Sequence, residues 1–143
     1  MKVRIVLCAI SLLSILWLCS CDRPYSVPSS KADLPLLTFE RSGEAAGFRE
    51  RLVIGYHGEY YWKHSGEQER IGLLGPDRRA QLQDWAERFA PFTMTLEENP
   101  DMPDNLIRQL AWTGLGKVAP SQTQQRDILN WANELVEELS TRH

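Results

Sequence analysis

The chain has 143 residues, 43% hydrophobic and 24% charged, with a formal net charge of −3. That length holds one domain with a real core and not two, and the mildly acidic balance excludes the basic stripe that a nucleic-acid partner needs. All three cysteines (Cys8, Cys19 and Cys21) lie within the first 21 residues, so the body offers no disulfide framework, thiol nucleophile or thiolate metal site.

Lys2 and Arg4 precede an apolar run over residues 5–18. A short basic region and an apolar stretch of this length form a secretory signal; a stable bilayer span needs ~20 apolar residues. The run ends in Leu18-Cys19-Ser20-Cys21, which resembles the lipobox of bacterial lipoproteins. The resemblance implies that residues 1–20 are a cleaved signal peptide and that Cys21 is the lipidation site, anchoring the chain in the membrane through acyl chains. Removing 20 residues leaves 123, with 14 basic against 19 acidic side chains and a net charge of −5. Such a body is too acidic to adsorb electrostatically to anionic lipid, so the acyl chains do the anchoring. Residues 21–34 read as a flexible, lipidated tether: the run DRPYSVPSSKAD holds two prolines, three serines and no hydrophobic period. Fully extended it reaches roughly 40 Å, at ~3.3 Å per residue. Asp22 directly after the acylated cysteine resembles the signal that retains lipoproteins in the inner membrane of enteric bacteria. The expected location is the cell envelope, with the domain outside the cytoplasm.

Residues 35–143 are expected to form a single α+β domain. Thr38 and Phe39 start a strand that leads to a turn-like Ser42-Gly43-Glu44-Ala45-Ala46-Gly47. Leu52, Ile54 and Tyr56 share one face of a strand at period two, and the aromatic run Tyr60-Tyr61-Trp62 is the return strand after the His57-Gly58 turn. A short strand around Ile71 completes a meander. Gly75-Pro76-Asp77 opens a helix whose Leu82, Trp85, Ala86 and Phe89 make one apolar stripe, and Pro91 ends it. Residues 92–96 suit a short strand, and residues 97–104 an acidic, proline-broken loop. Residues 106–112 alternate as a strand ending at Gly114 or Gly116. Ser121 with Gln124 is a capping-box pattern, and Ile128, Ala132, Leu135, Val136 and Leu139 are the buried stripe of a last helix. This order predicts an antiparallel sheet of four to five strands with two helices packed on one face.

The stretch Thr38-Phe39-Glu40-Arg41-Ser42-Gly43-Glu44-Ala45-Ala46-Gly47-Phe48 resembles the opening of emfourin-type domains. Those begin with a strand, then Arg-Ser-Gly-Gly, a small or apolar pair, and Gly; here Glu44 stands at the second Gly. The resemblance implies a protein inhibitor of thermolysin-like metallopeptidases, with a secreted metallopeptidase as partner. It marks Arg41, Ser42, Gly43, Gly47 and Phe48 as candidate partner-binding residues. Glycines at such a connection also have a purely architectural role, since they supply positive φ without strain.

Motifs for chemistry are sparse. His57-x-Glu59 lacks the P-C-x-x-C half of a zinc deaminase. His57 and His64, with Glu59 or Glu67, lack the helix and the third fixed ligand of a zinc site, so neither a metal nor a cofactor is expected. No nucleophile elbow or Walker loop occurs, and a non-enzymatic chain is the expectation. Tyr56, Tyr60, Tyr61 and Trp62 are the densest aromatic cluster. Alternation sets Tyr61 on the face opposite Tyr60 and Trp62, which makes Tyr61 a further candidate binding residue. Trp85, Trp112 and Trp131 belong to the core. The function expected is a membrane-anchored lipoprotein acting by protein binding, specifically as a metallopeptidase inhibitor. The alternative is a structural or accessory envelope lipoprotein without a protease target.

Overall fold

The computed structural model describes residues 35–43, 47–66, 69–98, 100 and 105–141. The signal 1–20, Cys21, the tether 21–34, Glu44, Glu67 and most of the acidic loop lie outside the described residues. In chain order the elements are β1 (Leu37–Gly43), β2 (Phe48–Ile54), β3 (Glu59–His64), β4 (Arg70–Leu73), α1 (Pro76–Arg88), β5 (Phe92–Glu98), β6 (Leu106–Trp112) and α2 (Gln122–Thr141). The fold is α+β, as the pattern of elements predicts. The sheet has six strands in the order β4-β3-β2-β1-β6-β5, every neighbouring pair antiparallel. The count exceeds the expected four to five because residues 70–73 and 92–98 both form full members. β1 extends through Ser42 to Gly43, where a turn was expected, because both β2 and β6 pair with it over its whole length. β6 ends at Trp112, short of the glycines.

Alternation decides which side chains the helices cover. Leu37, Phe39, Leu52, Ile54, Trp62, Leu110 and Trp112 all point to one face and are buried. They pack with Leu82, Ala86 and Phe89 and with Ile128, Leu129, Trp131, Ala132, Leu135, Val136 and Leu139 of α2 as one core. Trp85 is half-buried at its margin, its ring edge-on to Trp131 at 5.7 Å. Of the aromatic cluster, Trp62 is fully buried, while Tyr60 and Tyr61 are half-buried. The reciprocal bonds of the capping box form at the start of α2: Ser121 N–H donates to Gln124 Oε1 at 2.9 Å, and Gln124 N–H to Ser121 Oγ at 3.3 Å.

The two ends of the sheet differ in role. At one end the described chain begins at Pro35, whose carbonyl accepts a hydrogen bond from Thr113 Oγ1. Thr113 N–H also donates to the Leu36 carbonyl at 2.9 Å. At the other end sits the β1–β2 connection. β1 is seven residues long, which separates the two ends by about 20 Å at ~3.3 Å per residue.

Candidate functional site

The β1–β2 hairpin end carries five of the six candidate binding residues. Its register places Arg41 opposite Glu50, Ser42 opposite Arg49, and Gly43 opposite Phe48. Facing residues in a ladder share a side, so Arg41, Gly43, Phe48 and Glu50 project toward the helices, and Ser42 and Arg49 project from the open face. Position 43 has no room for a side chain, because a Cβ there would lie 2.7 Å from the Phe48 ring. Gly47 has φ +61°, a left-handed conformation that strains any other L-residue.

On the helix side these residues build a charged network. Glu50 is only 2% exposed. Arg41 Nε donates to Glu50 Oε2 at 2.6 Å, and its terminal nitrogen lies 2.5 Å from the same oxygen. Glu50 Oε1 accepts from Ser140 Oγ at 3.1 Å and faces His64 Nδ1 at 3.1 Å. Arg41 also reaches α2, donating to Asn133 Oδ1 at 3.2 Å and Glu137 Oε1 at 3.4 Å. The Phe48 ring stacks on His64 with centroids 6.2 Å apart and planes within 8°, and the Arg41 guanidinium lies 5.9 Å from its centroid. A buried carboxylate held by an arginine, a histidine and a hydroxyl is satisfied, and it ties three strands to the last turns of α2. It fixes Arg41, Glu50 and His64 against α2 at this end of the sheet. The sequence did not mark Glu50 or Ser140, and it offered His64 only as a metal ligand, although strand parity carried a signal for two of the three. Glu50 shares the parity of Leu52 and Ile54, and His64 that of Tyr60 and Trp62, so both fall on the buried face.

A shallow depression of about 570 Å³ at this end is lined by Glu40, Ser42, Gly43, Gly47, Phe48, Arg49, Ile107 and Gln109. The structure thus gathers Ser42, Gly43, Gly47 and Phe48 at one depression but not Arg41, which turns to α2. Tyr61 lies apart as well. It pairs with Val53, which pairs with Thr38, so it sits four residues along and two strands across from Ser42, roughly 16 Å away at ordinary strand spacings. A hydrogen bond with Glu69 raises the Tyr61 pKa above that of a free phenol and lowers that of the Glu69 carboxyl. Lys63 pairs with the same carboxylate at 2.9 Å, and Arg51 with Glu40 at 3.4 Å. The six candidates therefore do not form one continuous surface.

His57 is exposed in the turn before β3, while His64 ends that strand, so the two histidines are held apart by its length. Among the described residues no group of three His, Cys, Asp or Glu side chains could hold a metal ion. No described helix is long and apolar enough to cross a membrane. No protein-family model, curated protein or solved structure matches the chain. The emfourin resemblance accordingly rests on residues 38–48 themselves.

Proposed function

We propose that this chain is a cell-envelope lipoprotein, anchored by acyl chains on Cys21, whose domain acts by binding another protein. The partner class is a secreted thermolysin-like metallopeptidase, which the domain inhibits. The observation that supports this reading is the polarity of the fold. The described chain starts at Pro35, at the end of the sheet opposite residues 41–43 and Phe48, so those residues are remote from the point where residues 1–34 join the domain. The network around Glu50 holds Arg41, Glu50 and His64 in place before any partner arrives, which spares part of the ordering cost of binding.

Two measurements test the two halves of this proposal. Metabolic labelling with a fatty-acid analogue should mark the wild-type chain and not Cys21→Ser; equal label in both would discard the anchor. The purified protein should slow a secreted metallopeptidase of the same organism. Ser42→Tyr, which fills the depression at the hairpin end, should weaken that inhibition at least tenfold and leave the denaturation midpoint unchanged. Phe48→Ala is a poor probe, because its ring packs on His64 and Gly43 and its loss disturbs the fold. A wild-type protein that slows none of the organism's secreted metallopeptidases would end the inhibitor reading.

The accessory-lipoprotein alternative is favoured by a different feature, the edge strand β4. Ile71 is 80% and Leu73 58% exposed on the open face. Leu74 N–H donates inward to the Gly58 carbonyl at 2.9 Å, so alternation turns the backbone groups of Ile71 and Leu73 outward. An edge of this kind suits pairing with a strand of a neighbouring subunit. Crosslinks from Ile71→Cys to an envelope protein, with no peptidase inhibition, would decide for that alternative.

A further inference from the structure

We infer that the loop over residues 113–119 is a second contact with lipid, resting its Leu115 and Val118 side chains in the membrane interface while the acyl chains on Cys21 hold the protein there. This rests on the lipid-anchor reading. Leu115 is 59% and Val118 57% exposed, and Pro91 beside them is exposed too. Loops usually turn aliphatic side chains inward or move them, and this one does neither. Leu115 and Gly116 N–H groups both donate to the Ala86 carbonyl, at 2.7 and 3.0 Å, and Val118 N–H donates to the Arg88 carbonyl at 3.2 Å. Ala90 N–H returns a bond to the Val118 carbonyl at 2.9 Å. Gly116 lies so close to the Arg88–Phe89 backbone that a Cβ there would meet it at 2.1 Å. The α1 end thus clamps the loop in a shape that displays its apolar side chains.

The place where the tether joins the domain identifies the occupant. Residues 1–34, which lie outside the described residues, lead directly into Pro35, and Pro35 and Leu36 are bonded directly to Thr113, the first residue of this loop. An anchor attached there makes this corner the part of the domain with the shortest chain to the bilayer. Lys117, between the two apolar side chains, makes no ion pair among the described residues and suits anionic headgroups. Two aliphatic side chains and one cation bind a membrane weakly alone, but a tether raises their effective concentration at the surface.

The test uses the mature lipoprotein in vesicles of phosphatidylethanolamine and phosphatidylglycerol. A nitroxide is placed on Leu115→Cys and, in a second protein, on Ser42→Cys at the far end. Leu115 is exposed and Ser42 is half-buried at the depression, so a denaturation midpoint equal to wild type is required of each labelled protein, and acylation blocks the thiol of Cys21. The ratio of oxygen to nickel-complex accessibility should rise several-fold at position 115 on reconstitution and stay aqueous at position 42. Adding Val118→Asp should return position 115 toward the aqueous value. An acylated, vesicle-bound protein whose position 115 remains as aqueous as position 42 overturns this inference and leaves the anchor standing. A chain whose mass shows no acyl group overturns the anchor, and the inference with it.

Discussion

Arg41→Ala should destabilise the domain by about 3 kcal/mol, the lower bound for leaving a buried charge without its partner. Glu50 is 2% exposed and takes both Arg41 contacts on Oε2. Its remaining partners, His64 and Ser140, both address Oε1, so the substitution strips one oxygen completely. The same substitution removes the Arg41 bonds to Asn133 and Glu137 on α2, which keep only their mutual bond at 2.8 Å, so the tie between β1 and the helix should loosen. Arg51→Ala is the control. Its pair with Glu40 lies on the open face at 3.4 Å, where an exposed ion pair contributes ~0–1 kcal/mol. Urea denaturation of the two variants measures the contrast. The double variant Arg41→Met with Glu50→Leu should recover most of the loss, since apolar replacement of both partners removes the uncompensated charge. A single-variant loss under about 1 kcal/mol would mean that water reaches Glu50 and that the hairpin end is not held by this network.

Leu135→Ala should cost 2–5 kcal/mol, the range for truncating a buried leucine. Leu135 is 4% exposed on the α2 stripe. It also borders a groove of about 230 Å³ with Tyr60, Leu74 and Leu139. Removing three carbons there enlarges an existing gap, which the surrounding helix and strand cannot close without moving. The loss should therefore appear as a lower denaturation midpoint at nearly constant slope. A change below about 0.5 kcal/mol would place α2 at the periphery of the core.

Periodicity made most of the fold legible. The α2 stripe repeats at helical spacing over three turns, and every residue expected in it is buried. The capping box located the helix start because both of its bonds are local. Strand faces followed from alternation, which set Tyr61 opposite Tyr60 and Trp62. The candidate site was less legible. Residues 41–48 read as a unit along the chain, yet a strand sends neighbours to opposite faces, so Arg41 and Ser42 serve different surfaces.

The sequence alone determined the element types, the faces of Leu52 and Ile54 and of Tyr60, Tyr61 and Trp62, and the amphipathic faces of both helices, because those depend on residues a few positions apart. The resemblance of residues 1–21 to a lipoprotein leader likewise rests on local pattern and is independent of the fold. Strand order was decided only in the tertiary structure. β6 lies against β1 although more than sixty residues separate them in the chain, and β5 rather than β1 forms the second edge. No short-range pattern encodes that choice. α1 carries the chain from the β4 edge to the β5 edge, and β6 then occupies the gap beside β1 where its apolar face completes the core. The burial of Glu50 arose in the same way. Its charge is tolerated on the apolar face because Arg41, His64 and Ser140 arrive from three other elements, and only their assembly supplies the hydrogen bonds that replace water.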